Sequence, residues 1–292
     1  MRTLLLVVET MRPRQWSKNG FVLGGLVFSG SALQLAPEVR AWTTFVAFCL
    51  MSGAAYLLND AFDEEADRLN PRTAGRPIAR GDLPARTALV AAGVAAALAL
   101  GLAAVVNWKT LLTLTAFMVL QFAYSNWLKH VLFVDVMTIS AGFVLRAFAG
   151  LVCIPVVISP WLLLCTGLLA LFLGLAKRRA EAVSLGGTAH PQRPVLEGYS
   201  VALLDELIGV VTPSILVAYA LYTVLGSKSG DAMLLTVPFV LYGIFRVLWL
   251  IHHRSATTEE PAVVVWRDKP LLVCIVLWGL TAGIVSVVAG TG

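Results

Sequence analysis

Three aspartates at helical spacing mark the segment of the chain best suited to chemistry. Asp60, Asp63 and Asp67 stand at positions i, i+3 and i+7, and Asn59 lies one turn before Asp63. On an α-helix these positions share one face. Carboxylates this close repel each other unless a cation neutralises them, and an all-oxygen ligand set prefers Mg²⁺ or Ca²⁺. The spacing predicts catalytic aspartates that bind Mg²⁺ and a diphosphate; the alternative is a solvated acidic helix end facing basic loop residues.

An arginine-rich segment follows these aspartates. Residues 70–81 contain prolines and glycines, which favour an extended or turn-like chain over a helix. Arg72, Arg76 and Arg80 recur every four residues, and guanidinium groups bind anionic oxygens through a fork of N–H donors. We expect Arg72 and Arg76 to contact substrate phosphate. The alternative is that these charges only set the membrane topology beside anionic lipids.

The elements that must position these residues are membrane-spanning helices. The chain has 292 residues, of which 58% are hydrophobic and 13% charged, and its mean hydropathy is +0.82. Soluble domains are about a quarter charged, and a globule of this size could not bury so much apolar surface. The composition therefore predicts an all-α integral membrane protein, with residues 1–292 as a single polytopic domain. Nine segments are predicted to span the membrane: 19–36, 41–60, 87–106, 109–128, 133–153, 160–176, 201–225, 233–251 and 270–290.

The basic residues are distributed unevenly between the two sides of this topology. With a cytoplasmic N-terminus, 17 of the 22 Lys and Arg residues fall in cytoplasmic segments and 3 on the other side, as the positive-inside rule requires. Residues 1–18 would form an interfacial segment. The long loops 61–86, 177–200 and 252–269 would all be cytoplasmic, and long loops in compact proteins are mainly functional. We therefore expect a plasma-membrane protein whose polar chamber and active site face the cytoplasm.

Other ligand classes find little support in the sequence. The four cysteines and four histidines form neither a CxxC pair nor an HExxH motif, which leaves the aspartates as the candidate metal ligands. The formal charge of +5 comes without an aromatic-basic RNA motif, so nucleic acid is not an expected partner. Whether the protein is a homo-oligomer stays open, because lipid-facing and subunit-facing surfaces have similar compositions.

The pattern N-D-x-x-D-x-x-x-D at a helix end, followed by the arginine-rich loop and combined with nine spans, resembles the UbiA superfamily of membrane prenyltransferases over nearly the whole chain. The resemblance implies a UbiA-type helical bundle. It also implies that Asn59, Asp60, Asp63 and Asp67 bind a Mg²⁺-diphosphate, and that the C–O bond of the donor ionises there.

One segment departs from the common pattern of that superfamily. Most members carry a second aspartate-rich motif after the sixth helix, whereas this chain has Lys177, Arg178, Arg179 and then Glu181. A basic run suggests a donor with more negative charge than a prenyl diphosphate. Phosphoribosyl pyrophosphate (PRPP) carries a diphosphate and a further phosphate, which these cations would hold at the hinge of a mobile lid. Tyr199, farther along the same loop, is a candidate for the ribose hydroxyls.

Further segments resemble one UbiA branch, the decaprenyl-phosphate phosphoribosyltransferases. They are RPRQWSKN at 12–19, YSNWLKH at 124–130, Asp135-Val136, and GFVLRA at 142–147. The branch implies transfer of 5-phosphoribose from PRPP to a polyprenyl (decaprenyl) phosphate, with release of diphosphate, in the synthesis of a cell-wall arabinan precursor. Arg14 and Lys18 would contact the acceptor phosphate.

Several polar residues in these segments have two interpretations. Tyr124 and Lys129 match the branch motif and would bind substrate, but Lys129 could instead anchor a helix end at the membrane surface. Asp135 and Arg146 share a helical face and would line the polar chamber. A charge as deep as Arg146 is costly without a polar partner, so the alternative is a structural ion pair with another helix.

Two other functions compete with the proposed transfer. A UbiA-type prenyltransferase that alkylates an aromatic acceptor, in a quinone or haem pathway, would share the first motif but not the basic run at 177–179. A transporter would distribute charges along a path through the membrane. In this chain the polar residues gather near one surface, which disfavours transport.

Overall fold

The structure, a computed structural model, describes residues 2–28, 35–71, 73–156, 158, 160–185, 194–226, 230–253 and 267–290. These residues form α-helices joined by short 3₁₀ or π segments and turns. The α-helices are α1 (Arg2–Thr10), α2 (Gly24–Phe28), α3 (Leu35–Phe62), α4 (Glu64–Leu69), α5 (Ala85–Val106), α6 (Trp108–Asn126), α7 (Val134–Val152), α8 (Pro160–Leu185), α9 (Val201–Leu221), α10 (Val237–His253) and α11 (Lys269–Gly290). The shorter segments are the 3₁₀ helices Pro13–Leu23, Leu128–His130, Pro194–Gly198 and Gly230–Thr236 and the π-helix Tyr222–Gly226.

Seven helices among the described residues are long and apolar enough to cross a membrane. They correspond to seven of the nine predicted spans. The predicted span 19–36 is divided between the 3₁₀ helix Pro13–Leu23 and α2, and residues 29–34 lie outside the described chain. The predicted span 109–128 is α6, which is outside the seven and contains Lys109, Gln121 and three threonines. The described residues thus support a multi-pass protein and leave the count of nine unconfirmed.

The sixth predicted span is longer than the sequence analysis proposed. Helix α8 continues to Leu185 instead of ending at 176, so the basic run 177–179 lies on a helix and not at the hinge of a lid. The physical reason is local: residues 175–183 are mostly good helix formers without Gly or Pro. Residues 186–193 of the proposed lid lie outside the described chain, and Pro194–Gly198 form a 3₁₀ helix.

The described chain divides into two compact units. The first contains α1, α3 to α6 and the part of α7 from Leu145; the second contains the part of α7 up to Val144 and α8 to α11. The single domain over 1–292 therefore stays a prediction.

A stripe of alanines along α5 packs against α3 in the first unit. Its members are buried and recur every three or four residues, on one face of the helix: Ala88, Ala92, Ala95, Ala99 and Ala103. Methyl side chains let two helices approach closely within a membrane. The opposite face of α5 exposes larger residues, including Val90, Val94 and Leu98. Helix α3, which carries Asp60 near its end, is thus held closely along its length.

Two glycines bring backbones into close contact in the same unit. A Cβ atom at Gly150 would lie 1.9 Å from the carbonyl oxygen of Val22, and one at Gly25 would lie 2.3 Å from the oxygen of Gly150. No side chain fits at either position without a backbone shift. The end of α7 is therefore fixed against the N-terminal 3₁₀ helix and α2.

The core of the second unit lies between α8, α9 and α10. Phe172 and Leu204 are fully buried within one apolar cluster, together with Ile208 and Ile244. In the same unit, the Tyr219 hydroxyl lies 2.7 Å from Thr236 Oγ1 and accepts a hydrogen bond from Trp278 Nε1 at 2.8 Å. These contacts tie α9 to α11 and to the 3₁₀ helix Gly230–Thr236.

Candidate functional site

The aspartates of the first unit lie where α3 passes into α4. Asp63 falls between the two helices, yet its N–H donates to the Asn59 carbonyl at 2.9 Å and its carbonyl accepts from Asp67 N–H at 2.8 Å. The helical hydrogen bonds therefore continue across the junction. Asp60 and Asp67 are buried, with 2% and 7% exposure, whereas Asp63 is exposed. The environment thus divides the three aspartates into a buried pair and one solvated residue.

A single arginine bridges the buried pair. Arg76 Nη1 lies 3.1 Å from Asp60 Oδ1 and 2.6 Å from Asp67 Oδ2. Turns hold the loop that carries Arg76: its N–H donates to the Thr73 carbonyl, and Arg68 Nε donates to the Ala79 carbonyl at 3.1 Å. The described residues between Leu69 and Ala85 contain turns and no helix, in agreement with the predicted turn-like segment. One cationic nitrogen therefore sits between two carboxylates, where the sequence analysis expected a metal ion.

A second arginine binds Asp60 and was missed by the sequence analysis. Arg12 Nη2 lies 2.5 Å from Asp60 Oδ1, and its guanidinium stacks over the Tyr56 ring at 4.5 Å. Its backbone adopts φ 53°, a left-handed conformation that is uncommon for arginine. The sequence signal was present, because Arg12 opens the RPRQWSKN segment, but Arg14 was chosen as the contact residue. Arg14 is exposed in the structure.

A buried polar network surrounds Arg146 in the first unit. Its Nε donates to Asn19 Oδ1 at 2.7 Å, and its guanidinium lies over the Phe117 ring at 4.5 Å. Asn19 is fully buried and also donates to Cys49 Sγ at 3.3 Å. The amide oxygen and the ring face stabilise the deep charge. Arg146 thus has polar and aromatic partners from other helical segments, and its place in the wall of a polar chamber stays a prediction.

The indole N–H of Trp16, three residues before Asn19, is a buried donor. Trp16 packs against the apolar cluster that contains Met11 and Leu57. Its Nε1 is one of two buried side-chain polar atoms without a hydrogen-bond partner among the described residues. Buried donors nearly always have an acceptor, and bound ligand or water supplies it where protein does not.

Asp135 is the centre of a second polar cluster, which belongs to the second unit. It is fully buried and accepts hydrogen bonds from Arg178 Nε and from the Tyr199 hydroxyl, both at 2.7 Å. The Tyr199 oxygen in turn accepts from the Phe133 N–H at 2.9 Å, at a residue with φ 65°. Burial, as the largest cause, and the hydrogen bond to Asp135 raise the pKa of Tyr199. The phenol therefore stays protonated and donates.

Carboxylates balance the charges of the basic run. Arg178 also pairs with Glu181 at 2.6 Å, and Arg179 pairs with Asp205 at 2.5 Å. Both arginines are buried, whereas Lys177 is half-buried. The run is therefore an ion-paired network and not an open cationic surface. This outcome weakens the argument that its charge alone selects a highly anionic donor.

The remaining candidates are described one by one. Arg72 lies outside the described residues. Lys18, Tyr124 and Lys129 are half-buried; Tyr124 lies near the end of α6, and Lys129 lies in the following 3₁₀ helix. Within the described chain, no three Asp, Glu, His or Cys side chains come close enough to share one metal ion. Asp60, Asp63 and Asp67 therefore do not form a three-ligand metal site in the structure, although Asp60 and Asp67 contact the same Arg76 nitrogen.

Curated relatives match almost the whole chain. The decaprenyl-phosphate phosphoribosyltransferase of Mycolicibacterium smegmatis is 30% identical, over 95% of this chain and 91% of the relative. The protein of the same name from Corynebacterium glutamicum is 33% identical, over 93% of this chain and 84% of the relative.

Solved structures share the fold at low sequence identity. A UbiA homologue from Archaeoglobus fulgidus bound to GPP and Mg²⁺ superimposes with a TM-score of 0.69, at 15% identity, over 98% of each chain. The same homologue bound to DMAPP and Mg²⁺ gives a TM-score of 0.71, also at 15% identity, over 96% of this chain and 98% of that one. The sequence model of the UbiA prenyltransferase family matches residues 20–267. With that match over most of its length, the chain belongs to the UbiA prenyltransferase family and is a multi-pass membrane protein.

Proposed function

We propose that the protein transfers the 5-phosphoribosyl group of PRPP to a polyprenyl (decaprenyl) phosphate and releases diphosphate. The choice of donor and acceptor rests on relatives of 30% and 33% identity that match over 90% of the chain and bear the name of this activity. In the structure, the observation that carries the proposal is the buried Asp60–Asp67 pair, which shares one cationic nitrogen.

The buried pair has the donor chemistry that a divalent cation requires. Mg²⁺ is usually bound by one or two carboxylates, with substrate phosphates and water completing its shell. Asp60 and Asp67 would hold the ion, and Asp63 would contribute directly or through water. When bound, the ion would neutralise the diphosphate and make it a better leaving group. Arg76, which already lies between the two aspartates, is proposed to bind the diphosphate together with Asn59. Arg72, which lies outside the described residues, stays an expected phosphate contact.

The other residues are proposed to bind and orient the two substrates. Lys177, with the ion-paired Arg178 and Arg179, would face the donor phosphates, and Asp135 and Tyr199 would keep Arg178 in place. The remaining proposed contacts are Glu181 with the donor, Arg14 and Lys18 with the acceptor phosphate, Tyr124 and Lys129 with substrate, and Arg146 in the polar wall.

The reaction needs no general base from the protein. The C1–O bond of the ribose breaks and its electron pair leaves with the diphosphate. An oxygen of the acceptor phosphate forms the new bond to C1. That phosphate is already anionic, so no proton has to be removed. This accounts for a site whose chemistry depends on carboxylates and arginines, without a histidine in any assigned role.

We further propose nine spans, with the N-terminus and the site on the cytoplasmic side of the plasma membrane. The basic-residue distribution supports this orientation. The two spans beyond the seven would be residues 19–36 and α6. The exposed Leu4 and Leu5 of α1 support an interfacial position for the N-terminal segment. A polar chamber open to the cytoplasm stays part of this proposal.

Product analysis tests the proposed reaction. Protein purified in detergent should release diphosphate from PRPP only when both Mg²⁺ and decaprenyl phosphate are present, and should form a lipid-linked phosphoribose. Labelled prenyl diphosphate with an aromatic acceptor is the matched comparison. An alkylated ring from that mixture, with no product from PRPP, would replace the proposal by the prenyltransferase alternative.

A further inference from the structure

Asp60 carries more cationic contacts than a single carboxylate needs. Arg12 Nη2 at 2.5 Å and Arg76 Nη1 at 3.1 Å both bind the same oxygen, Oδ1, of this 2%-exposed residue. Arg76 also reaches Asp67, so two arginines face two buried aspartates and the formal charges cancel. The pair is thus neutralised by the protein's own cations when no divalent ion is bound.

Binding of a divalent cation changes this balance. A metal ion ligated by Asp60 would compete with the Arg12 guanidinium for this carboxylate. Both are cations, and Asp60 Oδ1 already accepts two hydrogen bonds. The incoming diphosphate adds negative charge beside the displaced guanidinium. Guanidinium groups bind phosphate oxygens in the forked geometry that they also use with carboxylates.

The surroundings of Arg12 fix its backbone and leave its side chain partly exposed. Its side chain is 30% exposed, and its guanidinium lies against the Tyr56 ring face, which holds a cation without fixing its rotation. The backbone is anchored on both sides, since the Arg12 carbonyl accepts a hydrogen bond from the Gln15 N–H at 2.8 Å. Met11 packs so closely against Gly53 that a Cβ there would lie 2.4 Å from Met11 Cε, and the Arg12 N–H donates to the Glu9 carbonyl. The left-handed φ of 53° is the kind of local strain that persists where surrounding contacts impose it and that clusters at functional sites.

We propose that Arg12 is a charge-exchange residue: it neutralises Asp60 in the metal-free protein and transfers to the donor diphosphate when a divalent cation occupies the Asp60–Asp67 pair. The inference rests on the proposed function only in that the donor carries a diphosphate. It assigns to Arg12 two opposite effects, one against binding of the metal alone and one in favour of binding of the metal with diphosphate.

Calorimetry on Arg12→Gln separates these two effects. Titration with Mg²⁺ alone should give binding about tenfold tighter than in the wild type, because the competing cation is gone, which is the scale of one charged hydrogen bond. Titration with inorganic diphosphate at saturating Mg²⁺ should give binding about tenfold weaker. Arg2→Gln, at an exposed position of α1, is the control and should change neither constant.

Arg12→Lys provides the second variant, because it keeps the positive charge and loses the fork. It should bind Mg²⁺ alone as the wild type does and bind Mg²⁺-diphosphate more weakly. Weaker binding of Mg²⁺ alone by Arg12→Gln, or unchanged binding of Mg²⁺-diphosphate, would overturn the exchange. If the diphosphate results hold while PRPP itself does not bind to the wild type, the proposed donor fails and the exchange stands.

Discussion

At the scale of single residues, burial separates side chains that spacing alone makes equivalent. The i, i+3, i+7 pattern placed Asp60, Asp63 and Asp67 on one face, and the helical hydrogen bonds do continue through the junction. The pattern could not reveal that α3 ends at Phe62 and that Asp63 becomes exposed. It also could not reveal Arg12, whose approach depends on a left-handed turn far away in the sequence.

The three aspartates should therefore differ in their importance. Asp60→Asn and Asp67→Asn should each lower turnover by about 100-fold or more, because each removes a buried charge at the proposed metal–diphosphate site. Asp63→Asn should cost less, since its carboxylate is exposed. Steady-state rates across a Mg²⁺ titration measure the differences, with the exposed Glu65→Gln as the unaffected control. A larger loss in Asp63→Asn than in Asp67→Asn would refute this ranking.

Tyr199 should contribute to stability through its hydrogen bond to Asp135, which also binds Arg178. Tyr199→Phe removes the donor to Asp135 and leaves the Phe133 N–H without its acceptor, so we expect a loss of about 1–3 kcal/mol in the free energy of unfolding. Thermal unfolding in detergent measures it. Tyr242→Phe, at an exposed position, is the matched control.

The same variant has an expected pH dependence. Burial raises the pKa of Tyr199 above its ordinary value of about 10, so the stabilising contact is fully present below that pH and is lost only as the pH rises beyond it. The stability difference between Tyr199→Phe and the wild type should be constant from about pH 6 to 9. A difference that changes within this range would mean that another group titrates with the contact.

At the scale of elements, hydropathy predicts most of the helices but places the C-terminal end of α8 too early. The long apolar runs predicted seven helices that the structure contains. The sequence predicts the end of α8 too early, because its consecutive charges are typical of a loop. In the structure Arg178 and Arg179 are buried on the helix by partners from distant segments, Asp135 and Asp205. Such pairs are visible only once the helices are packed.

Helix contacts through glycine give a prediction at this scale. Gly150→Ala would place a Cβ 1.9 Å from a backbone oxygen, so we expect a clear fall in the unfolding temperature or failure to fold. Gly101→Ala, on α5 with no atom within 4 Å of the added Cβ, should be neutral or stabilising by about 0.5–1 kcal/mol, because alanine favours helix. Equal behaviour of the two variants in thermal unfolding would show that the close contact at Gly150 is not maintained.

At the scale of the whole molecule, composition was the most informative property. A chain with 58% hydrophobic and 13% charged residues could be recognised as a multi-pass membrane protein before any motif was considered. The predicted span 19–36 is not among the seven apolar helices of the described residues, and its first residues belong to a 3₁₀ helix that contains Lys18 and Asn19. Polar residues there weaken the hydropathy signal.

Accessibility labelling tests the proposed orientation. In a cysteine-free background, Arg40→Cys should react with a membrane-impermeant thiol reagent added outside intact cells, because residue 40 is assigned to the outer side. Arg86→Cys should react only after the membrane is permeabilised. Both positions are exposed on the protein surface, so reactivity reports the side of the membrane. The reverse pattern would invert the proposed topology.

The alanine stripe of α5 limits how this chain can diverge. Each buried methyl group on that face is a spacer between two helices, and a longer side chain would push away α3, which carries Asp60 near its end and leads into α4 with Asp67. Substitution libraries covering α5 should therefore recover a one-sided tolerance, with almost any apolar residue accepted at Val90, Val94 and Leu98 and only glycine or serine accepted opposite them. Chemistry at the end of α3 would in this way constrain mutations several turns away that never touch a substrate.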